Sequence, residues 1–140
     1  MAKLIWAVPC SRILLDQPSN RVSYIDVLDG VSLPSFPTLA PLTFIGMFFQ
    51  RENETKLEVR VRAYGGDGEP LMDSDPVTLN FEPNHKRFRV HIGLAGFQLA
   101  KPGRFGFGVE VKLRGKWNEI DRVPFDVEPL IEHGTDQIIQ

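Results

Sequence analysis

Leu57-Glu58-Val59-Arg60-Val61-Arg62-Ala63 places an apolar residue at every odd position and a charged one at every even position. A helix would scatter the apolar set around its circumference, whereas an extended strand puts all of it on one face. Phe88-Arg89-Val90-His91-Ile92-Gly93-Leu94 repeats the pattern, and Phe105-Gly106-Phe107-Gly108-Val109-Glu110-Val111-Lys112-Leu113 carries it over nine residues. The same reading predicts strands at residues 4–8, 12–15, 22–28, 42–49, 77–81 and 123–127. Turn signals stand between them: Asp16-Gln17-Pro18-Ser19-Asn20, Gly65-Gly66-Asp67-Gly68-Glu69-Pro70, Glu82-Pro83-Asn84 and Lys101-Pro102-Gly103.

No segment carries the i, i+3, i+4, i+7 apolar spacing that a helix of ten or more residues requires, although a single turn fits residues 94–99. Strands with one apolar face must cover those faces with each other. The expected fold is therefore all-β: an antiparallel immunoglobulin-like β-sandwich of about seven to nine strands. Residues 1–128 are assigned to that domain. Residues 129–140, which lack alternation, are assigned to a flexible C-terminal tail.

One hairpin is argued in register. A two-residue Gly115-Lys116 turn pairs Lys112 with Glu119 and Val111 with Ile120, while Phe107 with Val123 and Phe105 with Phe125 require a register shifted by one. An extra residue in the first strand, at Gly108, reconciles the two ends. Without a bulge, Phe105 and Phe107 would turn to solvent.

Composition bounds the rest. The chain has 140 residues, 42% apolar and 24% charged, with a net charge of −2. That is the size and balance of one globular domain, and it excludes a collagen-like fibre, a disulfide scaffold and a protein governed by one sign of charge. The apolar run Leu4-Ile5-Trp6-Ala7-Val8 is too short for the core of a signal peptide, and no stretch approaches a bilayer span. With Cys10 as the single cysteine, a reducing, cytoplasmic location is expected. Cys10 itself is read as a buried, inert thiol.

Two stretches resemble known families, and the first supports the sandwich. Leu99-Ala100-Lys101-Pro102-Gly103-Arg104-Phe105-Gly106-Phe107 resembles the lead-in to a late strand of immunoglobulin-like domains, with Phe105 where the corner tyrosine stands. Val22-Ser23-Tyr24-Ile25-Asp26-Val27-Leu28-Asp29-Gly30-Val31, then Pro34-Ser35-Phe36-Pro37 and Pro41-Leu42, resembles a family of small bacterial single-domain proteins of unknown function. Its members show Ser-Leu-Ile near the start, where this chain has Tyr24 for the leucine, and Phe-Pro before the next strand. That likeness implies a bacterial, single-domain protein and transfers no activity or site residue.

The acidic loop 67–75 offers Asp67, Asp73 and Asp75, and its Ser-Asp-Pro looks like the calcium loop of C2 domains. No second acidic loop follows it, and Asp favours turns for local reasons, so an ordinary connection is the stronger reading. Residues 86–116 hold eight basic side chains and one acid, Glu110. They read either as a face for an acidic partner or as a strand surface neutralised by Glu119 and Asp121 across the hairpin, and the second is favoured. The aromatics are assigned to inward positions, which argues against nucleic acid. His85, His91 and His133 lack a spacing that would form a metal-ligand set, and His91 is read as a solvated side chain. Trp6 and Trp117 are read as packing residues, not as a sugar platform, and the glycines at 65, 66 and 68 as turn residues.

No nucleophile signature is present, and no catalytic, metal or cofactor residue is nominated. The expected function is a non-catalytic binding or protein–protein interaction domain, with an unidentified protein partner or self-association and binding residues left open. The near-continuous run Phe44, Ile45, Met47, Phe48, Phe49 motivates it, because such a run must be covered on both faces or lie at an interface. The alternative is a C2-like ion- or ligand-binding module using loop 67–75.

Overall fold

The alternation of residues 57–63 becomes burial in the computed structural model, which describes residues 1–131. Leu57, Val59, Val61 and Ala63 are almost wholly enclosed, while Glu58, Arg60 and Arg62 between them stay half-exposed. Every regular element among the described residues is a strand: β1 Lys3–Asp16, β2 Arg21–Val27, β3 Gly30–Leu33, β4 Thr38–Leu39, β5 Thr43–Gln50, β6 Lys56–Tyr64, β7 Pro70–Asp73, β8 Val77–Asn80, β9 Arg87–Leu94, β10 Gln98–Leu99, β11 Gly103–Leu113 and β12 Lys116–Pro129. No helix among the described residues is long and apolar enough to cross a membrane. His133 and most of the segment assigned to a tail, residues 132–140, lie outside the described residues.

The strands form a four-stranded sheet in the order β2-β1-β5-β9 and a six-stranded sheet in the order β3-β12-β11-β6-β7, with β8 also paired to β6. β4 and β10 make a small third sheet. The two large sheets share one hydrophobic core. Ile45, Met47, Phe49, Val90 and Ile92 come from the four-stranded sheet, and Val59, Val61, Phe107, Val109 and Phe125 from the six-stranded one. Burying side chains of this size contributes about 1.5–3 kcal/mol each, which is why strand alternation decides the fold.

Four expectations are corrected. Among the described residues twelve strands replace seven to nine, because β3, β4 and β10 are short pieces stabilised by distant partners and β7 is a short return along β6. Residues 4–8 and 12–15 belong to one strand, β1. It pairs with β5 up to Cys10 and with β2 from Cys10 onward, so Pro9 falls where the strand changes partner. The Pro9 carbonyl accepts a hydrogen bond from Leu28 N at 2.9 Å. The pairing is not purely antiparallel, since β3 runs parallel to β12. No helical turn forms at 94–99. There Gly96, at φ 80°, donates to the Ala40 carbonyl, and β10 follows.

The β11–β12 hairpin contains the expected bulge on the other strand. Phe105 pairs with Phe125 and Phe107 with Val123, but Val109 pairs with Asp121 and Glu110 with Glu119, which leaves Ile120 as the extra residue. The turn explains the change of side. Leu113 pairs with Lys116 around Arg114 and Gly115, at φ 53° and 79°, a tight turn with both central residues left-handed. It is displaced one residue from the expected turn, so the surplus moves to β12. Phe105 and Phe107 remain buried.

A candidate binding groove beside strand β9

The chemistry-bearing residues of the sequence are largely kept apart. Asp73 accepts two hydrogen bonds from Arg62, at 2.5 and 3.1 Å, and lies 3.5 Å from Arg60. The Arg62 hydrogen bond holds its carboxyl below the usual range. Asp67 sits 3.9 Å from Lys101, and Asp75 is exposed. Among the described residues no three His, Cys, Asp or Glu side chains are grouped as metal ligands. Gly65 and Gly68 close the turn of this loop through Gly65 N to Glu69 O and Gly68 N to Gly65 O.

The basic residues of 86–116 divide between the two sheets. Lys112 meets Glu58 at 3.6 Å, not the acids across the hairpin, because its partner in register is Trp117. Arg104 pairs with Asp126 and Arg122 with Glu119, and Arg60 pairs with buried Glu110. Trp117 packs beneath the Arg60 guanidinium, 4.4 Å from its ring centre. Arg87 and Arg89 differ. They project from β9 on the other sheet, and among the described residues no carboxylate lies against them.

The assignment of all aromatics to inward positions is also corrected. In β5, Ile45, Met47 and Phe49 are fully enclosed, but Phe44 and Phe48 point to the outer face and stay half-exposed. Trp6 stacks on Phe48 at 5.6 Å, and Tyr24 meets Trp6 edge-on at 5.4 Å. The Arg89 guanidinium stands 5.6 Å from the Phe48 ring centre. Tyr24 Oη and His91 Nε2 are hydrogen-bonded at 3.0 Å, so His91 is tied to its neighbour although its ring edge is exposed. Partial burial and the nearby Arg89 hold the His91 imidazole below its ordinary pKa. The room for Tyr24 comes from Gly46, where a Cβ would fall 2.4 Å from the Tyr24 ring.

Beside this cluster opens a groove of about 560 Å³. The turn of the β1–β2 hairpin contributes Leu15, Asn20 and Val22, and the end of β8 contributes Leu79, Asn80 and Phe81. Phe48, Phe88 and the outward side chains Arg87, Arg89 and His91 supply the third wall, and His85 closes one end. Phe81 and Phe88 are in ring contact at 4.6 Å, which makes the floor apolar. Arg51 fixes the end of the groove by donating to the carbonyls of Glu82, Pro83, His85 and Glu54. Among the described residues no acid lines the groove. Its chemistry is an apolar floor beneath a cationic rim.

No protein-family model matches the chain, and no curated protein matches it in sequence. The groove therefore carries the functional reading alone.

Proposed function

We propose that the chain is an immunoglobulin-like β-sandwich acting as a non-catalytic binding domain, and that the β9 groove receives an acidic, apolar-anchored segment of a partner protein. The strand path supports the fold. β1, β5 and β9 occupy the places of strands A, B and E in one sheet, and β6, β11 and β12 those of C, F and G in the other. β7 and β8 lie beyond C, and among the described residues no strand stands in the place of D.

The observation that carries the function is that among the described residues no acid pairs with Arg87 or Arg89 above the apolar floor, whereas the other sheet neutralises its strand arginines with acids. An exposed guanidinium with no acid beside it pairs with an incoming carboxylate, and the apolar floor below favours a carboxylate that arrives with apolar neighbours. Self-association through the run in β5 has less support, since Ile45, Met47 and Phe49 are already covered by the core.

The test is fluorescence anisotropy with a labelled nine-residue peptide alternating Glu and Val. Charge reversal in the Arg87→Glu/Arg89→Glu variant should weaken binding by about tenfold or more, or about 1.4 kcal/mol. Equal affinity for both proteins would rule the groove out as the site.

A further inference from the structure

Among the described residues the four-stranded sheet ends at β9, which pairs there with β5 alone. All eight residues, Arg87–Leu94, pair with β5 without a register shift, so the far side is a straight, unpaired edge. The other outer strands are shorter or interrupted. β3, β7 and β8 have four residues each, β7 begins at Pro70, and β2 carries the left-handed Asp26 near its end. β9 has no proline, no bulge and no charged side chain turned inward: Phe88, Val90, Ile92 and Leu94 are all buried and apolar. Its guard is the pair of outward cations Arg87 and Arg89, which discourages a cationic strand and leaves the edge a template for an acidic one.

We infer that β9 takes up an extended acidic peptide as an added strand of the sheet. The inference rests on the binding function proposed above and specifies its mode. An added strand lies along the groove and projects alternate side chains to opposite faces. One set stands beside Arg87, Arg89 and His91, and the other faces Phe81 and Phe88. The matching ligand carries carboxylates at every second residue and apolar side chains between them. A second copy of the chain fits poorly. Antiparallel pairing of two β9 strands centred on Val90 sets each Arg89 opposite the other copy's His91, beside the twofold axis, with no acid between them.

The probe is the same end-blocked Glu/Val peptide, with two analogues N-methylated at either the Glu or the Val positions. Successive amides of a strand point to opposite sides, so one analogue should lose about tenfold or more in affinity while the other binds like the parent. Residue-resolved hydrogen exchange should show alternate amides of Arg87–Leu94 protected by the parent peptide. If the parent binds while both analogues match it and β9 exchange is unchanged, strand addition is overturned and groove binding survives. If the parent does not bind, both readings fall. Equal binding of an oligothymidylate of the same charge would overturn peptide recognition, and alternate protection of β9 in the protein alone at high concentration would replace it with self-pairing.

Discussion

Glu110 Oε1 lies 2.6 Å from Arg60 Nε, with the glutamate 5% exposed and the arginine capped by the Trp117 ring. A carboxylate so enclosed depends on its partner. Removing one member of a buried pair leaves the other charged and desolvated, whereas replacing both with apolar groups removes the burden. Arg60→Ala should destabilise the protein by about 3 kcal/mol. Arg60→Met with Glu110→Leu should recover most of that loss. Urea midpoints of the two variants test the relation, and a double variant no better than the single one would contradict it.

Gly46→Ala should cost about 1–3 kcal/mol, because its methyl meets a Tyr24 ring already held by Trp6 and His91. Combining it with Tyr24→Ala should cost less than the sum of the single changes, by about 0.5 kcal/mol or more. Strict additivity in a double-mutant cycle would mean that the ring yields freely.

Arg114 holds a left-handed backbone, φ 53°, immediately before Gly115 at 79°. Asparagine tolerates that conformation better than arginine, and Asn-Gly suits this turn. Arg114→Asn should stabilise by about 0.5–1 kcal/mol, read as a higher thermal midpoint with unchanged circular dichroism.

Acid should weaken the protein in two stages. His91 has a folded-state pKa below its unfolded value, so the unfolded chain binds more protons as pH drops. Its contribution is complete above about pH 6.5 and declines from there toward its lower folded value. Asp73 is likewise lowered, and its contribution is complete above about pH 3.9 and lost below it. His91→Gln should flatten the upper stage of a plot of urea midpoint against pH and leave the lower one. A variant with an unaltered upper stage would assign that stage elsewhere.

The long strands were legible because their own side chains specify them. In β6, β9 and β11 the inward set is apolar almost without exception, so local pattern and burial agree. β3 and β4 were not legible, since their few residues become strand only through β12 and β10. Glu110 illustrates a different failure. Its parity correctly assigns it to the outer face, but the arginine and tryptophan that enclose it arrive from β6 and β12. The groove was half visible. Arg87 and Arg89 lie in the basic stretch 86–116 that the sequence showed, while Leu15, Leu79 and Phe81 join them only through the meeting of three separated segments.

The parallel seam between β3 and β12 sets an order on biosynthesis. Gly30 faces Asp126, so a strand made early must wait for nearly a hundred further residues before its hydrogen-bonding side is satisfied. During translation β3 has no sheet to join, and β11 and β6 present an incomplete layer until the last strand leaves the ribosome. Contacts of such long sequence separation slow folding. A chain ending before residue 116 would lack β12 and leave β11 and β3 without the strand that joins them, exposing apolar surface and unpaired edges until synthesis passes that point.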